Sequence, residues 1–131
     1  VQTMRNDRQL GIVAPEGHLL DVSKHLGGNA ETPAYLGRRL GLRDSDAPAD
    51  FVSGSMFWVR LQALRPLLDA HLDEWEFEAE QGQIDGTFAH AIERVFVSCA
   101  RDAGYAVASA AAVRGEPDPD PTRPYPYARP G

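Results

Sequence analysis

The apolar positions of the chain alternate between short runs and helical stripes, and this alternation predicts an α/β domain. Gly11–Ala14 (GIVA) is a short apolar run closed by Pro15, which predicts a buried strand. Phe51–Arg60 (FVSGSMFWVR) is rich in aromatic and β-branched residues and is the best strand candidate. The small residues inside it are typical of a bulge, or of a place where a ligand approaches the backbone. A last strand is expected within Tyr105–Val113.

Three other segments carry apolar residues at helical spacing. Glu31–Leu42 has a proline in its first turn, and Leu61–Leu72 is expected to divide into two short pieces at Pro66. Asp85–Ala103 is the strongest helix prediction, and Gly104 follows as its stop signal. Its predicted buried face consists of Phe88, Ala91, Ile92, Val95, Phe96 and Cys99.

The start of this longest helix carries the first candidate chemistry. Asp85 stands where an N-cap residue is expected. The helix dipole lowers the pKa of an aspartate in that position, and an ionised aspartate can orient or deprotonate a substrate hydroxyl. An ordinary N-cap is the simpler interpretation of the same residue.

Three polar residues one turn further along are a second candidate. His90 and Arg94 share a helix face away from most of the apolar stripe, and Glu93 is three positions from His90. Such a group could hold a metal or a phosphate. A closed metal site needs three or four ligands, so a solvated helix face is the simpler interpretation.

The segment before this helix is acidic and contains two aromatic residues. Trp75 and Phe77 are expected either to fold onto the core or to stack on a ring-shaped ligand. The glutamates between them favour a solvated loop edge, and these are Glu76, Glu78 and Glu80.

Composition narrows the classes of function. The chain has 131 residues, enough for one domain, and a formal net charge of -6, which argues against nucleic acid or an anionic membrane surface as the main partner. The single cysteine, Cys99, excludes an internal disulfide and is expected in the core. We find no transmembrane run and no signal peptide, so a cytoplasmic protein is the expectation.

The two ends of the chain differ in character from its middle. The chain opens on Val1 and a polar stretch, as expected of a piece cut from a longer protein. From Gly115 onward it is proline-rich, which predicts an extended or disordered tail. We therefore expect a domain over residues 1–113 and a tail over 114–131.

The segments taken together resemble the rhamnan synthesis F family, from Gly11 to about Tyr105. The segments that carry the resemblance are Gly11–His18, Gly27–Glu31, Phe51–Arg60, Ala63–Leu68 and Phe77–Arg94. The last of these (FEAEQGQIDGTFAHAIER) is long and specific, whereas the first is weak alone.

The resemblance implies a glycosyltransferase that builds rhamnose-containing polysaccharide, such as O-antigen, from a nucleotide-sugar donor onto a glycan acceptor. It implies a GT-A-like mixed sheet with flanking helices and a divalent metal, Mn²⁺ or Mg²⁺, as the candidate cofactor. The metal-binding D-x-D motif of the donor half has no counterpart in a strand-end context before Phe51, because Asp44-Ser45-Asp46 follows a predicted helix. The chain is therefore expected to be the acceptor-side part of a larger enzyme.

Within the segments that carry the resemblance, we assign roles to residues by inference. Asp85 is the candidate catalytic base or acceptor-orienting acid. Contacts to substrate are assigned to His18, Gly54, Ser55, Trp58, Gln83 and Thr87. Contacts to donor phosphate or metal are assigned to His90, Glu93 and Arg94.

Two other outcomes are consistent with the same residues. The chain could be a non-catalytic carbohydrate- or protein-binding module that stacks sugar rings on Trp58, Trp75 and Phe77, or a structural remnant. An incomplete sheet would leave an open edge for self-association. A larger protein or complex could also hold the chain at the inner membrane.

Overall fold

The computed structural model describes residues 2–24, 31–43, 50–82 and 86–119. Gln83 and Asp85 lie outside the described residues, as do the Asp44–Asp46 segment and residues 120–131 of the proline-rich tail. Their assignments therefore stay predictions. Within the described ranges the fold is α/β, with a mixed three-stranded sheet and a separate two-stranded sheet.

The described residues contain five strands. They are β1 (Leu10–Ala14), β2 (Leu19–Asp21), β3 (Asp50–Val52), β4 (Trp58–Val59) and β5 (Ala106–Ser109). The larger sheet has the order β4-β1-β5, with β1 antiparallel to β4 and parallel to β5. The smaller sheet pairs β2 with β3 in antiparallel register. The strand predicted from the GIVA run is confirmed, whereas β2 was not predicted from the sequence.

The segment Phe51–Arg60, predicted as one strand, contributes strands to two different sheets. Its first part belongs to β3, its last part to β4, and a 3-10 turn at Ser53–Ser55 separates them. The single-strand prediction is wrong, although the break falls at the small residues. The physical reason is the left-handed backbone of Gly54 (φ 78°) and Ser55 (φ 51°), which no continuous strand can contain.

Helices pack beside the larger sheet. They are α1 (Gln2–Asn6), α2 (Glu31–Arg39), α3 (Arg65–Leu68), α4 (Phe88–Asp102) and α5 (Ala110–Val113). A 3-10 helix at Leu61–Leu64 runs into α3, so the predicted division into two short pieces is confirmed, but it falls before Arg65 because Pro66 fits the first turn of α3. The predicted last strand is only half right, because Ser109 caps α5 through its side chain and ends β5 there.

The start of α4 differs from its prediction. Thr87 is the N-cap, and its Oγ1 accepts a hydrogen bond from the backbone amide of His90. The N-cap prediction for Asp85 is therefore wrong, because the threonine hydroxyl fills that position two residues later. The predicted stop at Gly104 is confirmed by its φ of 85°.

Helix α4 lies at the centre of the core and packs on both sides. One side contacts α2 and the 3-10 helix before α3, and the other contacts β3 of the smaller sheet together with β1 and β5 of the larger sheet. The buried residues around the first side are Leu36, Leu42, Leu64, Phe88, Ala91, Val95 and Cys99. Those around the second are Ile12, Ala14, Val52, Ala63, Val97 and Ala100. The predicted apolar stripe of α4 and the core position of its cysteine are thus confirmed.

Two glutamates of the acidic segment make specific contacts with helices. Glu76 forms a two-pronged ion pair with Arg39 of α2, and Glu78 accepts a hydrogen bond of 2.9 Å from the backbone amide of Phe88 at the start of α4. The Arg39 guanidinium lowers the pKa of Glu76, and the Phe88 amide lowers that of Glu78. The solvated-edge prediction is confirmed for Glu78 and Glu80, which are exposed, whereas Glu76 is half-buried beside Arg39.

None of the helices within the described residues is long and apolar enough to cross a membrane.

Candidate functional site

A cluster of polar groups forms just beyond the carboxyl end of β1. The chain turns there through Gly17 into His18, whose side chain is only 5% exposed. His18 Nδ1 lies 3.2 Å from both the carbonyl oxygen and Oγ of Ser53. The backbone amide of Ser53 donates in return to the His18 carbonyl at 2.9 Å. These contacts join the GIVAPEGH segment to the end of β3.

The next two residues of the turn are held by α4. The Glu93 carboxylate accepts a hydrogen bond of 2.7 Å from the Gly54 amide and one of 3.3 Å from Ser55 Oγ. Both turn residues are exposed, whereas Ser53 and His18 beneath them are buried. We call His18, Ser53–Ser55 and Glu93 the strand-end cluster. It presents an exposed backbone turn on a fixed, hydrogen-bonded base.

The N-terminus of α4 carries a second polar pair. Thr87 Oγ1 lies 2.6 Å from His90 Nδ1, and both residues are half-buried. Within the described ranges, Nε2 of His90 makes no hydrogen bond. Because Nδ1 contacts the hydroxyl, Nε2 is the ring nitrogen that has no partner among the described residues.

Arg94 does not lie on a solvated face. It is 8% exposed, its guanidinium carbon lies 5.5 Å from the ring centre of Phe51, and Nη1 donates to the His90 carbonyl at 3.1 Å. The side chain stacks on an aromatic ring of β3, which a helix-face pattern cannot show. Its assignment to a donor phosphate stays a prediction.

The three aromatic residues proposed for ring stacking differ in packing and exposure. Phe77 packs edge-on against Phe88 with ring centres 5.2 Å apart, so it belongs to the core margin. Trp75 is 78% exposed. Trp58 is 54% exposed and lies in β4, opposite Val13 of β1.

The described residues do not fit a divalent metal. The Glu93 carboxylate already accepts two hydrogen bonds from the turn, and Arg94 is a cation. No group of three or more His, Cys, Asp or Glu side chains in ranges 2–24, 31–43, 50–82 and 86–119 is arranged to hold a metal ion. We therefore derive no chemical step through a metal.

Of the predicted site residues, the structure brings together His18, Gly54, Ser55 and Glu93. Thr87 and His90 form a separate pair, and the roles of all these residues stay predictions. Sequence reasoning missed Ser53, the hydroxyl that connects His18 to the turn, although its place in the Ser-Gly-Ser run was a usable signal.

Comparisons with known proteins identify the family of the chain. The family model described as "Rhamnan synthesis protein F" matches residues 1–105. The protein WxcX of Xanthomonas campestris pathovar campestris, found in two strains, is 49% identical over 129 residues, which cover 98% of this chain and 19% of WxcX. The chain thus spans about a fifth of the length of these relatives. No solved structure matches the chain. The chain belongs to the rhamnan synthesis protein F family.

Proposed function

We propose that the chain forms the acceptor-side part of a glycosyltransferase that builds rhamnose-containing cell-surface polysaccharide. The observation that carries the proposal is the convergence of three separated segments at the strand-end cluster. His18, the Ser53–Ser55 turn and Glu93 come from different parts of the chain and meet through hydrogen bonds. Family membership supports polysaccharide synthesis as the setting.

The position of the cluster also supports a binding role. Open α/β sheets bind their ligands outside the carboxyl ends of strands, and the cluster follows the carboxyl ends of β1 and β3. Small exposed residues at Gly54 and Ser55 let a sugar ring lie close to the backbone. Because Glu93 holds the Gly54 amide, the turn is already ordered before a ligand arrives.

The proposed reaction is the transfer of a sugar from a nucleoside diphosphate to an acceptor hydroxyl. The acceptor oxygen forms a bond to the anomeric carbon, and the bond from that carbon to the diphosphate breaks. The hydroxyl proton passes to a base, for which we propose Asp85, two positions before the α4 N-cap. The donor would reach the same place from a part of the longer protein, with His90 and Arg94 proposed near its phosphates.

Two experiments test the proposal. In calorimetry, the 131-residue chain should bind rhamnose-containing acceptor glycans but not dTDP-rhamnose, with or without Mn²⁺. Donor binding by the chain alone would contradict the acceptor-side assignment. In the longer protein, Asp85→Asn should abolish transfer while leaving acceptor binding intact. Unchanged turnover would remove Asp85 from the role of base.

The same measurements separate the enzyme from a binding module. A binding module would bind glycan both as the 131-residue chain and within the longer protein, and the longer protein would transfer no sugar from any nucleotide donor. Loss of transfer in Asp85→Asn with retained glycan binding is the result that only the enzyme gives.

A further inference from the structure

Trp58 projects from the larger sheet on the side opposite α4. Val59 pairs with Ile12, and both contact the core beneath α4, so the neighbouring pair of Trp58 and Val13 must face the other way. Phe57 agrees with this alternation, because its ring packs on Phe96 of α4 with centres 5.1 Å apart. An indole that is 54% exposed therefore stands on a second surface of the sheet.

Trp58 lines a cleft between α1 and β4. The cleft has a volume of about 210 Å³, and its lining residues are Met4, Arg5, Trp58, Val59 and Arg60. Met4 and the face of the indole make it partly apolar. Two guanidinium groups make the rest of it polar.

The two arginines that line the cleft differ in their hydrogen bonds. Arg60 is part of the wall, because it donates to the backbone carbonyls of Met4, Asp7 and Leu10 at 2.5, 3.3 and 3.3 Å. Arg5 is exposed and makes no hydrogen bond or ion pair within the described ranges. Its five N–H donors are therefore available to a ligand beside the tryptophan.

An exposed indole beside an available guanidinium suits a sugar ring. One face of a pyranose presents C–H groups that pack on an aromatic ring, and its hydroxyl oxygens accept hydrogen bonds from arginine. The cleft volume equals that of about seven waters at ~30 Å³ each, which suits one ring rather than a longer peptide. None of the residues that line the cleft belongs to the strand-end cluster, so the cleft is a second place for a sugar ring.

We propose that this cleft is a saccharide subsite that holds one pyranose unit of the acceptor glycan. The proposal rests on the proposed function, since it takes the ligand of the cluster to be a glycan. Trp58 stacks on the ring and Arg5 donates to its oxygens. Trp75, which is not among the residues lining the cleft, has no part in binding.

The test is an NMR titration of the two indole N–H signals of the 131-residue chain with an L-rhamnose trisaccharide. The Trp58 signal should shift saturably and the Trp75 signal should not. Trp58→Ala should weaken binding by about tenfold or more and Arg5→Gln by about threefold, while Trp75→Ala should bind as the wild type does. Arg5 is on the surface of α1, so its variant keeps the test valid if Trp58→Ala does not fold.

Two results would overturn the proposal. One is a Trp58 signal that stays still at saturating trisaccharide, and the other is binding that Trp58→Ala and Arg5→Gln leave within twofold of the wild type. The readout needs no donor and no transfer. If the trisaccharide does not bind at Trp58 but the longer protein transfers sugar, only the subsite is rejected. If the trisaccharide binds but the longer protein transfers no sugar, the proposed enzyme is rejected.

Discussion

The Glu93 carboxylate accepts a hydrogen bond of 2.7 Å from the backbone amide of Gly54, across 39 positions of the chain. This bond connects α4 to the turn where one chain segment leaves the smaller sheet and enters the larger one. The same carboxylate accepts from Ser55 Oγ. The turn geometry is therefore set by a helix, and not only by the residues of the turn.

Removing the carboxylate should destabilise the fold. A hydrogen bond to a charged group contributes about 1.5–3 kcal/mol, so Glu93→Ala should lower the free energy of unfolding by about that amount. Glu93→Gln keeps an acceptor oxygen for the Gly54 amide and should lose clearly less. Urea unfolding followed by circular dichroism measures both values. Equal losses in the two variants would show that hydrogen bonding to the turn is not what Glu93 provides.

Substitution should destabilise the fold more at Gly54 than at Ser55, the two left-handed residues of the turn. Gly54 has a φ of 78°, so Gly54→Ala introduces strain that costs about 1–2 kcal/mol. Ser55 already bears such strain at a φ of 51°, so Ser55→Gly should change stability by only about 0.5 kcal/mol in either direction. Thermal unfolding of the pair checks this order. A reversed order would mean that the turn relaxes out of the left-handed region.

Some of this fold was predictable because the signals are local. The GIVA run between Gly and Pro predicted β1, the apolar stripe predicted α4, and Pro66 predicted that the segment from Leu61 divides into two short pieces. Each of these depends on residues within a few positions of one another. Sequence reasoning is strongest for such contacts.

The remaining features depend on partners that are distant in the chain. β2 has only three residues and exists through its pairing with β3. Arg94 is buried beside the ring of Phe51, and Glu78 accepts a hydrogen bond from the Phe88 amide because the first amides of α4 need an acceptor. Helical periodicity showed which residues of α4 face the core, but not which other elements meet its polar side.

Thr87 should carry most of the capping energy of α4. Thr87→Ala removes the side-chain acceptor of the His90 amide and should cost about 1 kcal/mol, whereas Thr87→Ser retains the hydroxyl and should cost little. Chemical denaturation measures the difference. Asp85→Ala is the comparison variant, and a larger loss there than in Thr87→Ala would restore Asp85 as the cap.

Acid should weaken the attachment of the acidic segment. The pKa values of Glu76 and Glu78 are lowered in the folded chain from an ordinary value of 4.5, so the unfolded chain binds protons first as the pH falls. Their contribution is complete above about pH 4.5 and is lost as the pH drops through the folded values. Glu76→Gln and Glu78→Gln should each flatten the dependence of unfolding free energy on pH below 4.5.

The matched control for this pH experiment is Glu80→Gln. Among the described residues, the Glu80 carboxylate accepts from the Gly82 amide, two positions away, and from no residue of a helix. Its variant should keep the wild-type pH dependence. A flattened curve in Glu80→Gln as well would show that general charge reduction, rather than the two attachments, governs acid stability.

The position of Gly11 in β1 should tolerate no side chain. A Cβ there would lie 2.5 Å from the Cβ of Tyr105 and 2.9 Å from that of Ala63. Gly11→Ala should therefore cost about 1–3 kcal/mol through overpacking. Combining it with Ala63→Gly, which removes one of the two clashing atoms, should recover part of the loss. No recovery in the double variant would assign the strain to Tyr105 alone.

The burial of Cys99 gives the chain a built-in reporter of its own opening. Cys99 is the sole cysteine of the chain, has no exposed surface, and its pKa is raised to about 12 by burial. A thiol in this state reacts with alkylating reagents only after α4 separates from its neighbours. The rate of alkylation under native conditions thus measures how often the core opens, with no engineered label and at a single known position.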